Sequence, residues 1–273
     1  MSGSTLYIPL RFWFNRNPGL ALPLIALQYH EVKINIKLAA VTKLFGCTKN
    51  SLTNLANTTM LECDKATTTP GNDSLNLNMS SCDLLVNYLY LDTDERRRFA
   101  QVSHEYLIEQ VQHTGVESIS APATTGTSKS ITLTFNHPVK ALFWNGLVSG
   151  ATDGSGTALN NGVASYTAKL QLNGHDRASE QGNLYFTGVQ PYEGGLRHNH
   201  SATTALTPAH AGMYSFCLKP GEHQPSGTCN FSRIDNARLV FAGTGCGAPV
   251  SVFAMNYNVL RIMSGMGGLA YSN

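Results

Sequence analysis

Apolar and polar residues alternate at every second position through much of this chain. That period lets a strand send one face into a core and the other into water. The segment EVKINIKL is the clearest case: Val32, Ile34, Ile36 and Leu38 lie to one side, and Glu31, Lys33, Asn35 and Lys37 to the other. The spacing recurs at Leu10, Phe12 and Phe14, at Ile131, Leu133 and Phe135, at Leu170 and Leu172, at Tyr214, Phe216 and Leu218, and at Ala237, Leu239 and Phe241. Long runs rich in Thr, Ser, Asn and Gly separate these segments, at residues 48–80, 118–130, 148–165 and 194–211. Connections of that length are functional or flexible. With antiparallel strands between them, they predict an all-β sandwich carrying elaborate loops.

The length of 273 residues leaves room for about two domains of ordinary size. Charged residues make up 13% of the chain, about half the usual one-quarter share, which predicts a surface covered in part by other subunits. A formal net charge of +2 and a pI near 8.2 argue against direct nucleic-acid binding, which calls for a basic stripe. The six cysteines, Cys47, Cys63, Cys82, Cys217, Cys229 and Cys246, form no CxxC pair and are too sparse for a disulfide scaffold. They are expected to be reduced and mostly buried. The stretch GLALPLIAL follows Arg11 and Arg16 but is broken by Pro23 and lacks a small-residue cleavage site, so a soluble, intracellular chain is expected rather than a secreted one. No apolar run reaches the roughly 18 residues of a membrane span.

Against this β background, YLDTDERRRFAQVSHEYLIEQVQ, residues 90–112, contains the one convincing helix start. Asp92 is placed to cap the first turn with Glu95 returning the bond, while Asp94 and Glu95 suit the positive end of the helix dipole. Phe99 and Val102 supply a small apolar face. The helix is expected to be short, joining a strand DLLVNYLYLD to a strand HEYLIEQVQ. Arg96, Arg97 and Arg98 point in three directions and are balanced by nearby acids, which favours a salt-bridged exposed helix or a subunit contact over a phosphate site.

The chemical motifs are weak. His198 and His200 form an HxH with Glu193 upstream, yet the chain continues SATTALTP and supplies no further carboxylate, so no metal is expected. The stretch TTGTSKS lacks the glycine a phosphate loop needs before its lysine. There is no GxSxG elbow, Asp94 and Glu95 are sequence neighbours rather than a carboxylate pair across a cleft, and no cysteine has a histidine beside it. Asn57, Asn72, Asn78, Asn199 and Asn230 each begin an Asn-x-Ser/Thr triplet, as chance provides in a chain rich in Ser and Thr. Trp144 and Phe143 are expected in the sandwich core. No catalytic, cofactor or metal residue is expected, and the chain is not read as an enzyme.

Three long motifs, LRFWFNRNPGLALPLIALQYHEVKINIKL, YLDTDERRRFAQVSHEYLIEQVQ and the terminal NYNVLRIMSGMGGLAYSN, strongly resemble, in that order, the major capsid protein of nucleocytoplasmic large DNA viruses, closest to those of algae. The resemblance implies two consecutive eight-stranded jelly rolls whose trimer has a pseudo-hexagonal outline and tiles an icosahedral shell. It further implies that residues 1–92 are the closing part of an incomplete first roll, 93–103 a connecting helix and 104–273 the second roll. The chain would then be a fragment, a shortened paralogue or a truncated gene product. The implied partners are two further copies in a homotrimer, neighbouring capsomers and minor capsid proteins, with no cofactor; the implied location is the virion capsid, assembled in the host cytoplasm. Two other readings stay open at this point. One is a glycan-binding jelly roll using Tyr185, Phe186 and Tyr192 in exposed loops. The other is a cupin-like metal enzyme built on His198 and His200.

Overall fold

The computed structural model describes residues 7–37, 81–118, 128–145, 166–196, 211–242 and 249–271. After helix α1 (Thr93–Gln101) the strands run β1 (His104–His113), β2 (Glu117–Ser118), β3 (Ser128–Thr132), β4 (Pro138–Asn145), β5 (Thr167–Leu172) and β6 (His175–Gly182). A π-helical turn, Tyr185–Val189, leads into the short helix α2 (Gln190–Glu193). Then follow β7 (Gly212–Ser215), β8 (Cys229–Asn230), β9 (Ala237–Ala242), β10 (Pro249–Met263) and β11 (Met266–Leu269).

Eight of these strands build two antiparallel sheets, in the orders β1-β10-β4-β7 and β3-β9-β5-β6, and the short β2, β8 and β11 extend the first. Apart from the β5–β6 hairpin, each step along those eight crosses from one sheet to the other. That order of crossings is a jelly roll. β10 is its spine, pairing along one edge with β1 from His113↔Phe253 to His104↔Ile262, and along the other with β4 and then β11.

The alternation read in the sequence now has a target. Ile131, Leu133 and Phe135, Ala168 and Leu170, and Ala237, Leu239 and Phe241 meet Val139, Leu142, Trp144, Val250, Val252 and Ala254 between the sheets. Trp144 sits at the centre, edge-on to Phe186 and Phe241 at centroid distances of 5.3 and 6.2 Å, with its indole N–H donating to the Tyr166 hydroxyl at 3.3 Å. Gly212 lies opposite Trp144 in the β4–β7 ladder, and a Cβ there would stand 2.3 Å from the indole. Two tight hairpins use residues suited to positive φ: Asn173 and Gly174 between β5 and β6 (φ 51° and 84°), and Ser264 and Gly265 between β10 and β11 (φ 53° and 79°).

Several expectations are corrected. The run EVKINIKL, described over residues 31–37, forms no regular element and pairs with no strand among the described residues, and the same holds for DLLVNYLYLD. Leu10, Phe12 and Phe14 do not lie on a strand: Trp13–Asn15 is a 3-10 turn, although Phe12 and Phe14 still stack at 5.0 Å. The strand read through Leu218 ends at Ser215, and Leu218 is exposed. Phe143 is only half-buried, on the face of β4 away from Trp144, and none of the three described cysteines is buried: Cys82 is exposed, Cys217 and Cys229 half-buried, and all three are free thiols.

Gly212→Ala is expected to displace Trp144 and to lower stability by about 1–3 kcal/mol, the usual cost of overpacking. A fall in the urea midpoint with an unchanged m-value would confirm it, and an unshifted midpoint would refute it.

Candidate functional site

The segment before α1 is tied to the sandwich through one buried carboxylate. Glu109 on β1 stands opposite Tyr257 on β10, so both side chains leave the same face of the sheet. On β4 the register steps from Ala141↔Met255 to Val139↔Asn256, leaving Lys140 as the extra residue of a β-bulge. The bulge lets Val139 and Leu142 both enter the core while Lys140, fully buried, turns to Glu109. Its Nζ lies 2.5 Å from Glu109 Oε1, donates to the Glu222 carbonyl at 2.9 Å, and sits 5.2 Å from the centre of the Tyr257 ring. The second carboxylate oxygen accepts from Arg16 Nη1 at 2.7 Å. Tyr257 donates its hydroxyl to the His223 carbonyl at 3.0 Å, and His223 Nδ1, buried without a hydrogen-bond partner, lies 3.9 Å from Glu109 Oε1.

Two cations, one carboxylate and a phenol thus join five stretches of chain spread from residue 16 to residue 257. Burial, and then the Glu109 charge, push the Tyr257 phenol up to about 12 from an ordinary 10.0. The two cations and the carboxylate are spent on holding segments together. Further contacts dock the same N-terminal segment. Trp13 approaches Tyr106 at 6.2 Å, Tyr29 donates its N–H to the Gly265 carbonyl at 3.0 Å, and Gly267 donates to His30 Nδ1 at 3.0 Å.

Helix α1 behaves differently. Asp92 caps it, accepting from Thr93 N–H at 2.7 Å, but the return bond from Glu95 is not formed. None of its residues is buried. Among the described residues its side-chain docking runs through Phe99, whose ring stacks on His104 at 5.2 Å and whose carbonyl meets His104 Nε2 at 2.8 Å. Arg97 reaches Asp94 at 3.8 Å; among the described residues Arg96 and Arg98 pair with no carboxylate. The salt-bridged helix read in the sequence is therefore only partly built among the described residues, and Arg96 and Arg98 are exposed.

His198, His200, Asn57, Asn72, Asn78 and Asn199 lie outside the described residues. Glu193 closes α2 and accepts from Gln190 Nε2 at 3.3 Å. Among the described residues no three His, Cys, Asp or Glu side chains are placed to hold a metal, and no helix is long and apolar enough to cross a membrane. The part of TTGTSKS that is described, Ser128–Ser130, lies in strand β3, where no helix N-terminus can cradle phosphate. The Asn230 side chain caps the turn Phe231–Arg233 by accepting from Ser232 N–H at 3.1 Å. The aromatic trio offered for glycans does not exist as a platform, because Phe186 is core and only Tyr192 is strongly exposed. Burial pushes the Cys229 thiol up, which makes it a poor nucleophile. Sequence reading missed the Glu109–Lys140 pair altogether; the charge in VKALFWN, amid an apolar run, was its only local signal.

Residues 95–268 match the family model described as large eukaryotic DNA virus major capsid protein, and residues 2–92 match that of the major capsid protein N-terminus. The major capsid protein of Pyramimonas orientalis virus is 48% identical over 292 residues, covering 98% of this chain and 62% of that protein. That of Paramecium bursaria Chlorella virus 1 is 40% identical over 319 residues, covering 98% and 66%. Among solved structures, a quasi-atomic model of the PBCV-1 virus capsid superposes with a TM-score of 0.64 at 36% identity, covering 98% of this chain and 70% of that one. The chain therefore spans just under two thirds of the length of these two relatives.

Glu109→Gln is expected to leave Lys140 buried without a counter-charge and to cost about 3–5 kcal/mol. Arg16→Met, at a half-exposed position, is expected to cost about 1 kcal/mol or less and to red-shift Trp13 emission as the segment loosens. Equal urea midpoints for the two variants would contradict this ranking. For Tyr257 the folded state holds its proton at pH values where the unfolded state has lost it. That contribution to stability is present below about pH 10 and is lost as pH rises toward about 12. Tyr257→Phe should flatten the alkaline arm of the stability profile, measured by urea unfolding across that range.

Proposed function

The chain belongs to the large eukaryotic DNA virus major capsid protein family, and on that footing we propose that it is a structural subunit of an icosahedral virus shell, acting as a homotrimer of pseudo-hexagonal outline. The observation that carries the reading is the eight-strand jelly roll from His104 to Met263, which falls within the family match over residues 95–268. The buried cluster supports it as well, since its charged groups are consumed in joining segments and leave nothing to act on a substrate. The protein works by packing and catalyses nothing. Its partners are two further copies, neighbouring capsomers and minor capsid proteins, and assembly takes place in the host cytoplasm.

In this reading residues 1–92 are the closing part of a first roll, 93–103 the connecting helix and 104–273 the second roll. Because α1 buries no side chain and Arg96 and Arg98 have no carboxylate among the described residues, these arginines serve a neighbouring subunit rather than their own rolls.

Light scattering of the chain, alone and fused to the remainder of a relative's capsid protein, is expected to show particles of three copies in at least one form. A strict monomer in both overturns the proposal. Arg96→Glu with Arg98→Glu should reduce the trimer fraction while leaving the unfolding midpoint unchanged; an undiminished trimer fraction removes the arginines from the interface.

A further inference from the structure

The N-terminal segment is held on the sandwich at two places, and a histidine stands at each. At the first, Arg16 holds Oε2 of Glu109 while Lys140 holds Oε1. His223, in the β7–β8 connection, brings Nδ1 to 3.9 Å from the same Oε1, too far for a hydrogen bond, and that nitrogen is buried with no hydrogen-bond partner among the described residues. At the second, the β10–β11 turn presses on residues 27–30: a Cβ on Gly265 would stand 2.6 Å from the Tyr29 ring, and one on Gly267 would stand 3.0 Å from Leu27. There Gly267 N–H donates to His30 Nδ1 at 3.0 Å, beside the bond from Tyr29 N–H to the Gly265 carbonyl.

Both places depend on an uncharged imidazole. A backbone N–H only donates, so His30 Nδ1 must offer its lone pair, and a proton there removes the bond. At the first place the count of charges decides. One carboxylate already faces two cations, and an imidazolium at His223 would be a third. Its Nδ1–H would take Glu109 Oε1 as acceptor and repel the other two cations. Lys140 cannot leave, because its side chain is fully buried and also holds the Glu222 carbonyl and the Tyr257 ring. Arg16 can, since 39% of its side chain already meets water. The titratable and charged groups around His223 are Glu109 from β1, Lys140 from β4, Tyr257 from β10, Arg16 from the N-terminal segment, and Cys217 with the paired Lys219 and Glu222 from its own loop. On the elements around His30 they are two closed pairs, Glu31–Lys33 beside it in the chain and Glu105–Arg261 across β1 and β10, while β11 carries none.

We propose that His223 and His30 form an acid-sensitive latch. The N-terminal segment is seated on the sandwich at neutral pH and is let go as the two rings take up protons, over the range of about pH 8 to 5 in which imidazole changes charge. His104 shows the opposite arrangement. Its Nε2 faces the Phe99 carbonyl at 2.8 Å, which only accepts, so that nitrogen is already a donor and a second proton leaves the bond intact. The β1–β10 ladder is built of backbone bonds that do not titrate, so the latch opens without unfolding the sandwich. Such a latch goes beyond the shell reading and does not depend on it.

The test is hydrogen exchange on the full chain at about pH 8 and about pH 5.5, with each amide corrected for its intrinsic rate. The Tyr29 and Gly267 amides are expected to lose protection by about tenfold or more on acidification, the worth of one hydrogen bond, while the amides of β10 from Val252 to Asn258 stay protected. His30→Asn keeps an amide oxygen in place of Nδ1, and His223→Leu removes the titrating ring. The double variant is expected to show the same protection at both pH values. No loss in the unaltered chain, or an equal loss in the double variant, overturns the latch. Should the double variant fail to protect β10 at the higher pH, the single variants decide: a smaller loss at Tyr29 in either supports the latch, and an equal loss in both overturns it.

Discussion

The structure depends on the requirement that β10 satisfy two edges and two faces at once. A fifteen-residue strand in mid-sheet exposes a row of N–H and C=O groups on each side, and each must find a partner when water is excluded. β1 fills one edge along ten residues, and β4 with β11 fills the other. Once those ladders are set, Val250, Val252 and Ala254 fall on the inner face, and the second sheet has a surface to close over. The jelly-roll crossings follow, because successive strands must reach alternate sheets to flank that spine.

The outer edges are protected by other means. On β7 the backbone N–H of Ser215 donates to the Gln190 side chain at 3.1 Å, so α2 covers that edge. On β6 the charged residues Asp176, Arg177 and Glu180 discourage a further strand. The outer face of the β1 sheet is closed at one point by the Arg16–Glu109–Lys140 cluster, which replaces water with paired charge. Such a cluster adds little net stability over apolar packing, but it penalises any arrangement in which one member is missing. It therefore fixes where the N-terminal segment sits more than it deepens the fold.

Much of this was legible beforehand, for a physical reason. Period-two alternation survives wherever a strand has one wet and one dry face, and β5 and β9 were readable on that ground. Asn173-Gly174 also carried a signal for the β5–β6 hairpin, which the reading by alternation passed over. The alternation misled at residues 31–37, and the apolar run at 83–92 did likewise: neither pairs with a strand among the described residues, since pairing is a property of two segments and cannot be read from one. The ion cluster was hidden because its members are far apart in the chain, and because a bulge, invisible in composition, turns Lys140 away from the core side. Phe186 looked like loop decoration and is core, since the π-helical turn that buries it has no clear periodic signature.

The bareness of α1 leaves the seating of the N-terminal segment to residues far from the helix. A helix that buries nothing and docks through one ring stack imposes no side-chain complementarity along its length. Apart from Arg96 and Arg98, substitutions along it would leave the interior of the sandwich untouched. The N-terminal segment is seated on the sandwich instead at Arg16, Trp13 and Tyr29, well upstream in the chain. Substitutions at that remote seat, more than in the helix, would therefore shift how the N-terminal segment lies against the sandwich.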